Sequence, residues 1–159
     1  MDYLTLARII HILGVILWIG GVAMVTTVIV PAVRKMKSKQ ERYETFQKIE
    51  GRFAFQAKIW TLLTGVSGFY MIYQLDAWDR YFHLAYWWIH AMTLVWILFS
   101  LVLFIFEPLF LHKLYEKYAI QDSDKTFRII QGAHWFLLIL SLVTTIGAVA
   151  GSHGLLFIH

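Results

Sequence analysis

The chain has 159 residues, of which 59% are hydrophobic, 17% aromatic and only 15% charged, with a formal net charge of +4 at neutral pH. A soluble domain needs about 25% charged residues to face water, so this composition, with a mean hydropathy of +0.63, excludes an ordinary soluble domain. The absence of cysteine excludes disulfides, thiolate nucleophiles, Cys-ligated zinc and iron–sulfur clusters, which leaves metal and redox chemistry to the seven histidines.

Four stretches carry no Asp, Glu, Lys or Arg: residues 9–33, 59–75, 81–106 and 129–159. A bilayer core about 30 Å thick needs roughly 20 apolar helical residues. Lipid offers the backbone no hydrogen-bond partners, so spans here must be helices. The expected spans are 7–31, 55–75, 84–107 and 129–151.

The first span is too long for a secretory h-region and lacks an A-x-A site, so it is expected to remain in the mature protein. His11, Gly14, Trp18 and Gly21 share one of its faces, at spacings of three, four and three. The following segment is basic. Ser38 and Glu41 have capping-box spacing there, and Tyr43, Phe46, Ile49 and Phe53 recur on one face that either lies at the interface or extends the second helix inward. In the second span Lys58 is placed to snorkel, while Gly65 and Gly68 mark close helix contact or room for a flat cofactor. The third span opens on the aromatic run Tyr86-Trp87-Trp88, an interfacial anchor, and Pro108 is expected to end or bend it. Asp122 or Ser123 is placed to cap the fourth.

Lysine and arginine set the expected topology. Eight lie between Arg34 and Lys58 and four between Lys113 and Arg128, against Arg8 and Arg80 alone in the other two connections. The positive-inside rule then puts both basic segments in the cytoplasm. The expected fold is all-α: an integral membrane up-down four-helix bundle, one domain, with both termini outside, in the cell (inner) membrane. The charge serves the lipid bilayer, and no basic patch on a soluble fold points to nucleic acid.

Polar groups inside a span are costly and mark function by default. His11 lies 23 residues from Arg34, His153 lies 25 from Arg128 and His90 lies 17 from Glu107. At about 1.5 Å per residue, His11 and His153 are level near the outer edge, with His90 roughly 9 Å deeper. Imidazole suits haem iron and copper, and bundles build cofactor sites from facing helices. Two histidines on different helices suit a six-coordinate b-type haem, with His11 and His90 as axial ligands and His153 in reserve. Trp18 and Gly14 would flank the ring. His134 with His112 offers a second, inner site. A lone intramembrane histidine also serves simply to hydrogen-bond a neighbouring helix, and His83, His112 and His159 suit the interface. No membrane-buried carboxylate relay is present, which disfavours a carboxylate-driven pump.

The stretch from Arg8 through His11, Gly14, Trp18 and Gly20-Gly21, followed by Pro31 and a basic segment, resembles the first helix of the CopD copper-resistance membrane family and of the HemJ-type protoporphyrinogen oxidases. Gly51-Arg52-Phe53, Leu63-Thr64-Gly65 and Gly68 are similar to the second helix of both, and Trp88-Ile89-His90 resembles the W-x-H start of the HemJ third helix. The likeness implies a four-helix membrane core in which His11 is a haem ligand. Met92 stands where the HemJ group has a lysine two residues after the third-helix histidine, a departure that touches porphyrinogen oxidation more than haem binding. The CopD likeness implies copper handling, although the five methionines are scattered. Small four-helix b-type cytochromes that exchange electrons with quinone are similar in architecture alone.

The leading expectation is a membrane b-type haem protein for electron transfer or small oxidoreductase activity, linked to quinone, a redox protein or a porphyrinogen. A homo-oligomer is compatible with it. The alternatives are a copper-binding or copper-transporting protein of CopD type, and a non-catalytic membrane subunit whose histidines serve packing.

Overall fold

The computed structural model describes residues 2–155, those at 110–112 and 114–116 by backbone alone. Every regular element among them is helical. Helix α1 (Tyr3–Met24) begins at Asp2, whose carboxylate accepts from the Leu4 N–H at 3.0 Å and the Thr5 hydroxyl at 2.7 Å. It runs through a π-helical segment, Val25–Ile29, into α2 (Val30–Arg34). Pro31 brings no N–H to this rod, and the Thr26 and Thr27 hydroxyls return to the Val22 and Ala23 carbonyls. Both features loosen the i→i−4 ladder, and the chain widens by a π turn there instead of breaking.

Ser38 starts α3 (Lys39–Gln74) by accepting from the Glu41 N–H at 3.3 Å. The basic segment is therefore continuous with the second helix, and does not form a separate interfacial helix. Phe46 and Ala54 sit on its buried face. Asp76, at φ 46°, turns the chain after α3, a left-handed position that a short polar side chain tolerates. Two 3₁₀ turns, Trp78–Phe82 and Leu84–Tyr86, lead into α4 (Trp87–Leu101). A π-helical stretch, Val102–Leu111, follows and includes Pro108. The proline does not end the helix; the widened turn accommodates its ring. After α5 (His112–Gln121), Asp122, not Ser123, caps α6 (Ser123–Ser152) by accepting from the Lys125 N–H at 3.3 Å.

Three helical rods are long and apolar enough to cross a membrane: Tyr3–Arg34, Leu84–Leu109 and Ser123–Ser152. The expected span 55–75 is the C-terminal half of α3, and it falls outside this set. Thr61, Thr64, Gly65, Ser67 and Gly68 dilute its apolar character. Thr61, Thr64, Gly65 and Ser67 are buried, Gly68 partly so; hydroxyls and small residues are the side chains that let helices approach closely in lipid.

The tightest pairing is α1 against α3, with α4 against α6, and lighter contacts join α3 to α4 and α1 to α6. Gly14 lies against Thr64 and the Trp60 carbonyl, and Gly21 against the Phe53 ring, which fixes an antiparallel register. Tryptophans fill the other glycine notches: Trp96 at Gly65, Trp87 at Gly147 and Trp88 at Gly151. One core, from Trp18, Val22, Ala57, Val95, Phe99 and Leu138, joins α1, α3, α4 and α6, with Trp18 meeting Phe99 edge-on at 4.7 Å. A second, from Val30, Phe46, Ala119, Phe127 and Ile130, closes the basic end. There Arg42 pairs with Asp124 at 2.5 Å, and Lys39 donates to the Gln121 carbonyl at 3.4 Å, so the two basic segments are held together at one end.

The polarity is inverted relative to a protein in water. On α6, Ile139, Val143, Ile146 and Val149 are more than half exposed while Ser141 and Thr144 are buried. The hydroxyls of Ser67, Ser141 and Thr145 return to the Leu63, Leu137 and Ser141 carbonyls, which satisfies them without water. An apolar exterior this continuous needs a nonaqueous partner, and lipid supplies it.

Candidate functional site

His11, His90, His134 and His153 each donate one ring N–H to a backbone carbonyl. His11 Nδ1 lies 2.9 Å from the Thr64 carbonyl, across the α1–α3 seam. A carbonyl can only accept, so Nδ1 carries the proton and Nε2 keeps its lone pair. Gly68, one turn beyond Thr64, gives the ring its place: a side chain there would meet His11 Cε1 at 3.1 Å. The Ser67 hydroxyl approaches Nδ1 at 3.4 Å while donating to the Leu63 carbonyl at 2.6 Å. This Thr64–Ser67–Gly68 seat was not legible from the sequence, where Gly65-x-x-Gly68 reads as packing. Its one signal is the four-residue offset that puts Thr64 and Gly68 on the same face.

His90, in the first turns of α4, is bonded differently. Its Nε2 lies 2.9 Å from the Tyr81 carbonyl, and its ring meets the Tyr81 ring edge-on at 5.5 Å. Nε2 is therefore the donor. Nδ1, with the lone pair, is buried and has no partner among the described residues. Tyr81 is held in turn, its hydroxyl 2.8 Å from that of Thr93, which donates onward to the Ile89 carbonyl. Four further buried atoms are orphaned among the described residues: Trp18 Nε1, Thr61 Oγ1, Thr64 Oγ1 and Trp87 Nε1. In the antiparallel register all five lie from mid-bundle to the end away from the basic loops, the part that holds His11 and His90. Buried polar atoms almost always find partners, so these five stand out, although Thr64, Trp87 and Trp18 are packed against Gly14, Gly147 and Phe99.

The remaining sites are placed as follows. His153 is exposed at the C-terminus of α6, its Nδ1 donating to the Val149 carbonyl at 2.8 Å. His134 Nδ1 donates within its own helix to the Ile130 carbonyl at 2.9 Å. The His112 side chain and His159 lie outside the described residues, so the inner His134–His112 pair has one described member. Trp18 is buried against Phe99, which closes the space between α1 and α4 below the His11 level. Gly14 brings α1 close to α3. Among the described residues no three His, Asp or Glu side chains converge as a metal cluster, so the donors on offer are imidazoles from separate helices.

That donor set fits iron or copper. A ligating histidine almost always gives its other ring N–H to a carbonyl or carboxylate, which fixes the ring and raises its basicity. His11 has this arrangement, with Nε2 as the free nitrogen.

A charged cluster that the sequence does not display sits nearer the basic end. Lys58 and Glu107 pair at 2.8 Å between α3 and the π-helical stretch, both side chains less than a third exposed. Glu50, two turns before Lys58 and outside the expected span, is pushed up to about 7, first by burial and then by the charge of Glu107, with Lys58 opposing. An unfolded glutamate titrates near 4.3. Between about pH 4.5 and pH 7 the unfolded chain thus releases a proton that the folded one keeps, and stability falls as pH rises. The Tm in detergent is expected to drop between about pH 5 and about pH 8, and Glu50→Gln is expected to flatten that drop. An equal drop in the variant would remove Glu50 as its source.

These elements define a class: an all-helical chain with helices built to cross a membrane, carrying backbone-tethered histidines toward one end. Set against protein-family models, curated proteins and solved structures, the chain matches none.

Proposed function

We propose that the chain is a multi-pass protein of the cell (inner) membrane that binds b-type haem and passes electrons, as an electron carrier or a small oxidoreductase coupled to a quinone, a porphyrinogen or another redox protein. In this reading α3 supplies a fourth span at 55–75, and the four long helices form an up-down bundle with both termini outside. The joining of both basic segments at one end supports that topology, because twelve of the fourteen Lys and Arg residues then face the cytoplasm.

His11, through Nε2, and His90 would hold the haem iron, with His153 in reserve. The observation that carries this reading is the tethered His11 ring with its free Nε2. When bound, the haem iron supplies one-electron chemistry, its potential set by axial ligands, hydrogen bonding and burial. The chain's own part is to hold both imidazoles in one tautomer, through the Thr64 and Tyr81 carbonyls, and to exclude water with the Trp18–Phe99 core.

One observation favours a copper site as the second reading. His90 offers Nδ1, the nitrogen beside Cβ, which is hindered against a flat macrocycle and less so against a single ion. Pigment extraction and metal analysis of the detergent-purified protein, expressed with haem and copper supplied, separate the readings. About one haem per chain supports the proposal. Copper without haem supports the alternative, and neither would leave a non-catalytic subunit.

A further inference from the structure

A groove of about 390 Å³ runs along the outside of the α1–α3 seam, apart from the histidines. Leu17 and Met24 line it from α1, Ile29 from the π-helical segment that follows, and Lys48, Arg52 and Trp60 from α3. Its size is within the range of small-molecule pockets, about 300–1,000 Å³. The Phe53 ring, laid against Gly21, forms part of its wall. The register set by Gly14 with Thr64 and Gly21 with Phe53 brings Lys48 beside Ile29 and Trp60 beside Leu17. The groove is therefore polarised. Two cations four residues apart stand at the end nearest the basic loops, and a largely apolar channel, interrupted by Gln56, leads from them toward mid-span.

Arg34 bonds Gln131, Arg42 bonds Asp124 and Lys58 bonds Glu107, but neither Lys48 nor Arg52 has a hydrogen-bond or ion-pair partner among the described residues. Both are exposed, at the level where an apolar rod gives way to charge. We propose that this groove holds one anionic phospholipid, its phosphate on Lys48 and Arg52 and an acyl chain laid over Phe53 toward Trp60 and Leu17. A free phosphate would satisfy the cations and leave the apolar length uncovered. A second copy on a two-fold axis would set the same cations against each other. A phospholipid matches both ends at once, and cations near a membrane surface draw anionic headgroups. The site does not depend on haem, nor on which side of the membrane the basic loops face.

The test uses the full chain in phosphatidylcholine nanodiscs containing a small fraction of lipid with brominated acyl chains, with tryptophan fluorescence as the readout. Brominated phosphatidylglycerol is expected to quench at about thirtyfold lower mole fraction than brominated phosphatidylcholine, for two charge contacts at the membrane surface. Trp60→Phe should remove most of that selective quenching. Lys48→Gln with Arg52→Gln should bring the two lipids together, whereas Lys113→Gln with Lys117→Gln should leave the difference intact. Equal quenching by both lipids in the parent, or selectivity that survives Lys48→Gln/Arg52→Gln, would overturn the proposal. So would an equal loss in the Lys113/Lys117 variant, which would mean general surface charge, or persistence in Trp60→Phe, which would place the chain elsewhere. Loss of selectivity in inorganic phosphate but not in chloride of equal ionic strength would make the occupant a free anion and overturn it as well.

Discussion

His11→Gln is expected to abolish the low-spin haem spectrum of the purified protein while leaving the helices folded. Glutamine can still donate to the Thr64 carbonyl, the bond that His11 Nδ1 makes at 2.9 Å. The α1–α3 contact, where an interhelical hydrogen bond averages about 0.6 kcal/mol, is thus largely kept. What is lost is the Nε2 lone pair. A purely structural histidine would give the opposite pattern: an unchanged spectrum, and a Tm sensitive only to variants that cannot donate. His90→Ala is expected to turn a six-coordinate low-spin haem into a five-coordinate high-spin one, and His153→Ala, exposed and tethered to its own helix, to change little. If His153→Ala gives the high-spin form and His90→Ala does not, the second ligand has been misassigned.

The largest effect on stability is expected at Gly14. Its Cα faces Thr64, with the Trp60 carbonyl 3.4 Å from where a Cβ would stand, so Gly14→Ala forces the tightest helix pair apart. Overpacking of this kind costs about 1–3 kcal/mol. Thr64 Oγ1 is the atom in the way and has no hydrogen-bond partner among the described residues. Thr64→Ala alone should therefore be mild, and the double variant should recover most of the loss. That coupling, read from unfolding in detergent as a double-mutant cycle, separates a steric seam from a general intolerance of α1. Additive losses would mean that the two residues do not meet.

Much of the fold is legible in the residues because its causes are local. Ser38 and Asp122 cap helices as their side chains dictate, and α1, α4 and α6 follow from apolar runs that have no other way to satisfy their backbone in lipid. The 36-residue length of α3 was one of two readings its residues left open. Its first half holds together through tertiary contacts, Phe46 on Phe127 and Arg42 on Asp124, and Lys58 is tolerated within it because Glu107 comes from another helix to meet it. Pro108 misleads for a related reason. A proline removes one N–H and clashes with one carbonyl, but whether the chain breaks or widens depends on what packs around it.

The histidines divide in the same way. Their depth could be counted from the charged residues, and this marked out His11, His90 and His153. Their tautomers could not be counted, since these depend on carbonyls brought by α3 in one case and by the Tyr81 turn in the other. Glu50 and the lipid groove belong with them, because both arise only where α3 lies beside a partner.

The most direct test is a reduced-minus-oxidised absorption spectrum of the full chain, purified in detergent after expression with haem supplied. A Soret band with sharp α and β bands on reduction, at about one haem per chain, is the predicted result. A featureless difference spectrum from folded, helical protein would contradict haem binding and return His11 and His90 to helix packing or to copper.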